Sequence, residues 1–129
     1  MREERVMQTF NECSVARLLG IELVELKNGI ARGTLSLRKE HLNVYGDAHG
    51  GIIFTFADQL GGACAAAEGG NAVLLESSIH YIKGTRGERP IMAEATLTHK
   101  GKKIGRVDVK VYEEEGDVIA LLHQIFYIK

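Results

Sequence analysis

Asp58 is the residue whose surroundings point most clearly to chemistry. It is the only formal charge between Asp47 and Glu68, within a stretch of apolar and small residues. Removing an unpartnered carboxylate from water at such a place is costly. Two interpretations are balanced. In the structural interpretation, Asp58 lies on a solvent-exposed stripe of a helix or pairs with a basic residue of a strand. In the functional interpretation, it lines a cleft as a general base or nucleophile.

A second chemical feature, Gly50-Gly51, begins the same apolar segment. At a helix N-terminus the backbone N–H groups have no intrahelical partner and lie at the positive end of the helix dipole, so glycines there let a ligand oxygen approach. From Gly50 to Asp58 a helix rises about 12 Å. The two features therefore need a long substrate or two subunits, and a two-fold pair of such helices would bring Asp58 of one chain near Gly50 of the other.

The polar residues before the helix complete a compound pattern. Its members are His41, Asn43, Gly46, His49, Gly50, Gly51 and Asp58. In this order and spacing they resemble the signature of the PaaI-type acyl-CoA thioesterases, within the hotdog-fold (4-hydroxybenzoyl-CoA thioesterase-like) superfamily. The order of predicted elements extends the resemblance over about the whole chain. We therefore interpret residues 1–129 as a single hotdog thioesterase domain.

The resemblance implies a role for each matching position. The Gly50 N–H would polarise the thioester carbonyl, Asn43 would orient that carbonyl or the attacking water, and Asp58 of the partner subunit would act as base or nucleophile. His49 is expected to fix the loop rather than to transfer protons. A thioester needs donors for its oxyanion and a base for water, whereas the thiolate of coenzyme A leaves with little acid help. No metal and no cofactor is implied beyond the coenzyme A of the substrate.

Predicted substrate contacts are Gly51 and two basic clusters at strand ends. The clusters include Lys83, Arg86, Lys100 and Lys102. As groups they could meet the phosphates of coenzyme A, although each residue taken singly is better explained as ordinary solvated turn charge. The sequence does not distinguish an aryl from an aliphatic acyl group in the substrate.

One position departs from the family pattern. Many relatives carry a hydroxyl on the strand after the core helix, where it supports the catalytic carboxylate or water. The equivalent positions here are Leu74 and Leu75, while Ser77 and Ser78 are near but out of that register. If neither serine reaches the site, the water is held by the asparagine and the carboxylate alone.

Periodicity and turn residues define the elements that must position this site. Apolar spacing predicts an amphipathic helix over Glu3–Leu19, stopped by Gly20, and Asn28-Gly29 predicts a hairpin turn. The predicted strands are Ile21–Lys27, Ile30–Leu37, Val73–Ile82, Ile91–His99, Ile104–Tyr112 and Asp117–Ile128. A helix from Gly50 to Glu68 is apolar on nearly every side, so the sheet must curl around it. The fold class is α+β, a long central helix wrapped by a curved antiparallel β-sheet, which the resemblance identifies as a hotdog fold.

Composition excludes several classes of function. The 129 residues carry 16 Lys+Arg and 17 Asp+Glu, a net charge of −1, so no overall attraction to nucleic acid or to an anionic membrane is expected. The longest apolar stretch is interrupted by a carboxylate and falls short of a membrane span. The first five residues carry charges of both signs and lead into no apolar core, so a secretory signal is not expected. His80, His99 and His123 have no partners at metal-ligand spacing, so no metal site is predicted. We expect a cytoplasmic protein.

Acyl-CoA thioesterase is the leading interpretation. The alternative from another class is a non-catalytic acyl-CoA binding or sensing module on the same fold, in which Asp58 only accepts a hydrogen bond. A hydratase or dehydratase on the hotdog fold ranks last, because a resemblance to those enzymes usually includes a proline-rich stretch ahead of the central helix, and this chain has none before Pro90. An unpaired sheet edge predicts self-association as a homodimer, or as a tetramer built from two dimers.

Overall fold

Alternating apolar residues and short glycine turns shape most of the chain into strands, which surround one long helix. A computed structural model describes residues 2–129. Its elements are α1 (Arg2–Glu12), α2 (Ser14–Leu19), β1 (Ile21–Lys27), β2 (Ile30–Leu35), a 3-10 turn (Lys39–His41), α3 (Gly50–Ala66), β3 (Ala72–Tyr81), β4 (Ile91–Lys100), β5 (Ile104–Glu113) and β6 (Val118–Ile128). The six strands form one antiparallel sheet in the order β1-β2-β4-β5-β6-β3.

Helix α3 supplies the centre of the core. Its buried residues are Ile53, Phe56, Ala57, Leu60, Gly61, Ala63, Cys64 and Ala65. They meet the inward side chains of β4, β5 and β6, including Ala93, Val109 and Leu122, all at most 1% exposed. The sheet therefore curves around the helix, which confirms the predicted α+β hotdog architecture. Within residues 2–129, no helix has the length and apolar character needed to cross a membrane.

The predicted single helix over Glu3–Leu19 is wrong in one respect, because the structure divides it into α1 and α2. Cys13 adopts an extended backbone between them, with φ −68° and ψ 153°. The Gln59 side chain of α3 donates to the Phe10 carbonyl at 3.0 Å. In a continuous helix that carbonyl would instead accept a backbone N–H from the next turn. Gly20 ends α2 in the left-handed region at φ 82°, as predicted.

The hairpin and the strand order agree with the predicted turns. Asn28 and Gly29 join β1 to β2 with φ values of 53° and 76°, the geometry expected of an Asn-Gly turn. Strand β2 ends at Leu35, earlier than predicted. Strands β4, β5 and β6 form the expected meander, whereas β3 pairs with β6 alone. Strands β1 and β3 are consequently the two edges of the sheet.

The neighbouring helix residues Gly61 and Gly62 test how tightly α3 fits its sheet. A Cβ at Gly61 would lie 1.7 Å from Oε1 of Gln124, whereas one at Gly62 would lie 3.3 Å from the edge of the Phe10 ring. Alanine gains about 1 kcal/mol of helix propensity at either position, while overpacking costs about 1–3 kcal/mol. Because the 1.7 Å contact at Gly61 is far too short, its overpacking cost belongs at the upper end of that range. We therefore expect Gly61→Ala to lower the free energy of unfolding by up to about 2 kcal/mol. Gly62→Ala should change it by less than about 1 kcal/mol.

Urea unfolding followed by circular dichroism measures both variants. Equal effects of the two substitutions would contradict the packing described for α3.

Candidate active site

The loop before α3 is ordered by its own polar side chains. Oδ1 of Asn43 accepts the N–H groups of Tyr45 at 2.9 Å and of Asp47 at 3.1 Å. The backbone N–H of Asn43 donates to the Asp47 carbonyl at 2.7 Å, which closes the turn. The oxygen of the Asn43 amide is thus used by the loop, and its NH2 group is the end left to bind a ligand. Asn43 and Gly50 line the same cavity, of about 330 Å³.

The first turn of α3 presents one amide to that cavity. His49 caps the helix, because the Gly51 N–H donates to its Nδ1 at 2.9 Å. The N–H groups of Ile52 and Ile53 donate to the His49 carbonyl. Within residues 2–129, the Gly50 N–H has no hydrogen-bond acceptor. Gly50 therefore offers a donor at the positive end of the helix dipole, whereas the amide of the predicted substrate contact Gly51 is already engaged.

Tyr81 is a residue of this cavity that the sequence reasoning missed. Its hydroxyl donates to the Gly50 carbonyl at 2.8 Å, and its ring lies 3.3 Å from where a Cβ at Gly50 would be. Burial raises the pKa of the Tyr81 hydroxyl, which keeps it protonated as a donor. A tyrosine ending an edge strand carries no local signal for such a role, because the contact joins two distant parts of the chain.

Asp58 lies half-buried on α3, and its partner is neutral. Nε2 of Gln124 on β6 donates to Oδ1 of Asp58 at 2.6 Å. Burial raises the pKa of Asp58, and the hydrogen bond from Gln124 lowers it by a smaller amount. The predicted alternative of a basic strand residue as partner is therefore wrong. Gln124 had one available signal, a polar residue at an inward position of an otherwise apolar strand.

The structure separates Asp58 from the free amide within one chain. Both lie on α3, which runs from Gly50 to Ala66 as regular helix. Two turns of rise place them about 12 Å apart along the axis. One protomer therefore does not bring its own carboxylate and its own Gly50 N–H onto the same small group.

Strand β3 contains a bulge that changes which side chains face α3. Its pairing with β6 shifts between Leu74 and Glu76, so Leu75 is the extra residue. Leu74 pairs with the inward Phe126, and after the bulge Ser77 pairs with the inward Gln124. The sequence-based register for Ser77 misses this shift. The Ser77 hydroxyl therefore lies on the helix side of the sheet, whereas the two positions at which the family pattern places a hydroxyl are Leu74 and Leu75.

The predicted basic contacts lie in two places. Lys83 is held by Glu113 and Asp117 at 2.7 and 2.6 Å, which raises the pKa of its ammonium group. Arg86 lies 3.7 Å from Asp47, near the start of α3.

Lys100, in contrast, lies 3.6 Å from Glu68 just beyond the end of the same helix. Lys102 follows it in the β4–β5 turn and makes no ion pair within the described residues. One protomer thus holds the two basic clusters at opposite ends of α3.

The remaining histidines lie outside this site. Nδ1 of His123 contacts Oδ1 of Asp108 at 2.8 Å on the outer face of the sheet, and the His80 ring meets the His123 ring edge to face. Across residues 2–129, no three His, Cys, Asp or Glu side chains are grouped to hold a metal ion.

Comparison with known proteins decides the family. The family model of the thioesterase superfamily matches residues 45–120, which include the Gly50 amide, Asp58 and Ser77. The chain belongs to the thioesterase superfamily. This membership confirms the predicted enzyme class, a thioester hydrolase.

Relatives of this thioesterase agree in sequence and fold. The acyl-coenzyme A thioesterase PaaI of Escherichia coli is 26% identical over 106 residues, which cover 82% of this chain and 76% of that protein. The structure of E. coli PaaI superposes with a TM-score of 0.94 at 22% identity, covering 99% of this chain and 94% of that one. A hypothetical thioesterase of Streptococcus pneumoniae, crystallised with coenzyme A, has a TM-score of 0.87 at 26% identity, covering 95% and 96% of the two chains. The predicted PaaI-type resemblance is confirmed.

The His49 cap of this thioesterase can be tested by its effect on stability. His49→Ala removes the acceptor of the Gly51 N–H, so we expect the free energy of unfolding to fall by about 1 kcal/mol. His49→Asn keeps an acceptor at the N-cap and should recover most of that loss. His99→Ala, at an exposed strand position, is the matched control. Urea denaturation measures all three, and equal losses in His49→Ala and His99→Ala would argue against the cap.

Proposed function

We propose that this thioesterase hydrolyses acyl-CoA thioesters to a free acid and coenzyme A. The observation that carries the proposal is the combination on one helix of a half-buried carboxylate, Asp58, with a free N–H at Gly50. The names of its relatives support the same substrate class, since one is an acyl-coenzyme A thioesterase and another was crystallised with coenzyme A. The reaction proposed here needs no cofactor other than the coenzyme A of the substrate.

In the proposed reaction Asp58 activates the nucleophile. As a general base it takes a proton from water while the water oxygen bonds to the thioester carbon and the carbonyl electron pair moves to oxygen. The Gly50 N–H stabilises that oxyanion, and the NH2 group of Asn43 orients the carbonyl or the water. The carbonyl then reforms, the C–S bond breaks, and the thiolate takes up a proton. Attack by the carboxylate itself, through an anhydride that water hydrolyses, is the second route open to Asp58.

Two subunits are needed to assemble this arrangement. Because about 12 Å of helix separates the two groups in one chain, the Gly50 amide would act with Asp58 of the partner subunit. Antiparallel pairing of two copies of α3 would create two equivalent sites related by the two-fold axis. The same pairing would bring Lys83 and Arg86 of one protomer toward the end of the helix that carries Lys100 and Lys102 in the other. Such a cluster could contact the phosphates of coenzyme A.

Strand β3 is the surface that we propose for this pairing. It is an edge strand of ten residues, and several of its large apolar side chains are exposed. These are Val73, Leu74, Leu75 and Tyr81, followed by Ile82 in the next segment. An uncovered apolar edge is a template for pairing with a second chain. At the opposite edge α1 packs against β1, and Asn11 binds the backbone of Leu23. A dimer through β3, or a tetramer of two such dimers, would bury the exposed edge.

Replacing the proposed base provides the direct test of function. We expect Asp58→Asn to release thiol from short, medium, long and aryl acyl-CoAs at least ~100-fold more slowly than the wild type, because the amide keeps the shape but cannot accept the proton. Asp108→Asn, at an exposed carboxylate on the sheet surface, is the matched control and should retain full activity. Thiol capture by a chromogenic disulfide measures the rate.

The same assay separates the alternative function. Release by neither form, with acyl-CoA bound in calorimetry, would favour a binding or sensing module. Equal release by the wild type and Asp58→Asn would remove the carboxylate from the mechanism.

The edge-strand dimer has its own test. Leu75→Lys places a charge on β3, where two copies would meet across the two-fold axis, so we expect monomers and a loss of activity. Val24→Lys makes the same change on β1 at the other edge and should leave both unchanged. Light scattering coupled to size-exclusion chromatography gives the mass of each variant. A Leu75→Lys protein with the wild-type mass would rule out pairing through β3.

A further inference from the structure

We propose that Gln124 is the positioning residue of Asp58, and that Ser77 fixes the orientation of the Gln124 amide. The inference rests on the proposed function, because it concerns the carboxylate assigned there as the base. Gln124 does not touch the substrate in this proposal. It acts by holding the carboxylate that does.

The position of Gln124 is costly for a purely structural residue. Its side chain is 2% exposed on the helix side of β6, between the inward residues Leu122 and Phe126. Burying an amide there costs free energy that an aliphatic side chain would avoid, unless its polar atoms find partners. The one partner within residues 2–129 is Asp58, through the hydrogen bond of 2.6 Å from Nε2.

Helix α3 is shaped to admit this amide. The backbone of Gly61 lies where a Cβ would come within 1.7 Å of Oε1 and 2.9 Å of the amide carbon of Gln124. A glycine in a helix costs about 1 kcal/mol of propensity relative to alanine. The chain therefore accepts a local cost on α3, three residues after Asp58, that makes room for the Gln124 side chain.

The orientation of the amide decides which form of Asp58 is favoured. An ionised carboxylate only accepts hydrogen bonds, so it needs the NH2 end of Gln124. The reversed amide would present Oε1, which suits only a protonated carboxyl group. Within residues 2–129 no charged side chain shifts the pKa of Asp58, which burial raises and the Gln124 hydrogen bond lowers. The observed orientation thus supports the ionised form that a base requires.

Ser77 is placed to select that orientation. It lies directly opposite Gln124 in the pairing of β3 with β6, and opposed residues share one face with Cβ atoms about 5 Å apart. Oγ of Ser77 and Oε1 of Gln124 are both buried and lack hydrogen-bond partners within the described residues. A hydroxyl can donate and Oε1 can only accept. Donation from Ser77 to Oε1 would satisfy both atoms and keep the NH2 end toward Asp58.

The test compares Gln124→Met with Gln59→Met. Methionine keeps the length of the glutamine side chain but removes its donor. Gln59 follows Asp58 on α3 and donates to the Phe10 carbonyl and to Sγ of Cys13, so Gln59→Met loses comparable hydrogen bonds away from the carboxylate. We expect Gln124→Met to lower kcat about 10–100-fold with KM within about threefold, and Gln59→Met to leave both unchanged.

The pH profile separates positioning from a loss of packing. A base works in its ionised form, so kcat falls as the pH falls through the pKa of Asp58. Without the donor that pKa rises, and the acidic limb of Gln124→Met should move to higher pH, while that of Gln59→Met stays in place. Ser77→Ala should move the limb in the same direction by less. A folded Gln124→Met with the wild-type kcat and acidic limb would overturn the proposal.

A double-mutant cycle distinguishes failure of this proposal from failure of the proposed function. In the Asp58→Asn background, Gln124→Met should have no further effect on kcat, because the residue acts through Asp58. A further loss would overturn the positioning role and leave the thioesterase proposal intact. Full activity of Asp58→Asn, or no thiol release by the wild type, would instead reject the proposed function together with this inference.

If Gln124→Met does not fold, Gln124→Glu carries the test. A protonated glutamic acid keeps a donor toward Asp58, whereas an ionised one places a like charge beside it. We therefore expect Gln124→Glu to have an altered acidic limb. Over the pH range in which the two carboxyl groups share one proton, its kcat should exceed that of a Gln124→Ala protein. An acidic limb identical to that of the wild type would show that position 124 does not act on the base, and would overturn the proposal.

Discussion

The removal of the Asp58 carboxylate from water is the constraint around which the centre of this structure is arranged. A helix that packs against a curved sheet on several sides leaves few positions for a charge, and an uncompensated one is expensive. The chain meets this constraint with a neutral donor, Gln124, rather than with a cation. A lysine or arginine at that place would hold the carboxylate more firmly and make it a poorer base. An amide supports the ionised form and still allows its basicity to rise through burial.

The other half of the site depends on a different use of the same helix. The first turn of α3 has four N–H groups without intrahelical acceptors. His49 accepts two of them, the Gly51 N–H at its ring and the Ile52 N–H at its carbonyl, and its own N–H donates to the His41 carbonyl. The N–H of Gly50, beside the cavity, is left without an acceptor among the described residues, and the Tyr81 hydroxyl donates to the carbonyl of the same residue. The cap that stabilises the helix therefore also leaves one donor available, and this is the donor that the proposed reaction would use for the developing negative charge.

Features with local signals could be predicted from the sequence, and features made by distant contacts could not. The Asn28-Gly29 turn and the stop at Gly20 each follow from the backbone preferences of one or two residues. The break at Cys13 instead depends on Gln59, which lies 46 positions later. The partner of Asp58 lies 66 positions away on the last strand. The bulge in β3 has no composition signal, since its extra residue, Leu75, follows another leucine that suits a strand equally well.

The slender form of α3 connects catalysis with assembly. Glycine and alanine along this helix weaken its intrinsic propensity, but they allow close approach of the sheet on one side. At Gly61 the space so gained admits the Gln124 amide, which would be unnecessary if position 58 were apolar. At the other end of the same helix the free Gly50 amide lies too far away to use that carboxylate. Under the proposed mechanism, a chain that carries both groups on one helix, two turns apart, would complete a site by pairing with a second copy. The exposed apolar edge at β3 is consistent with that requirement.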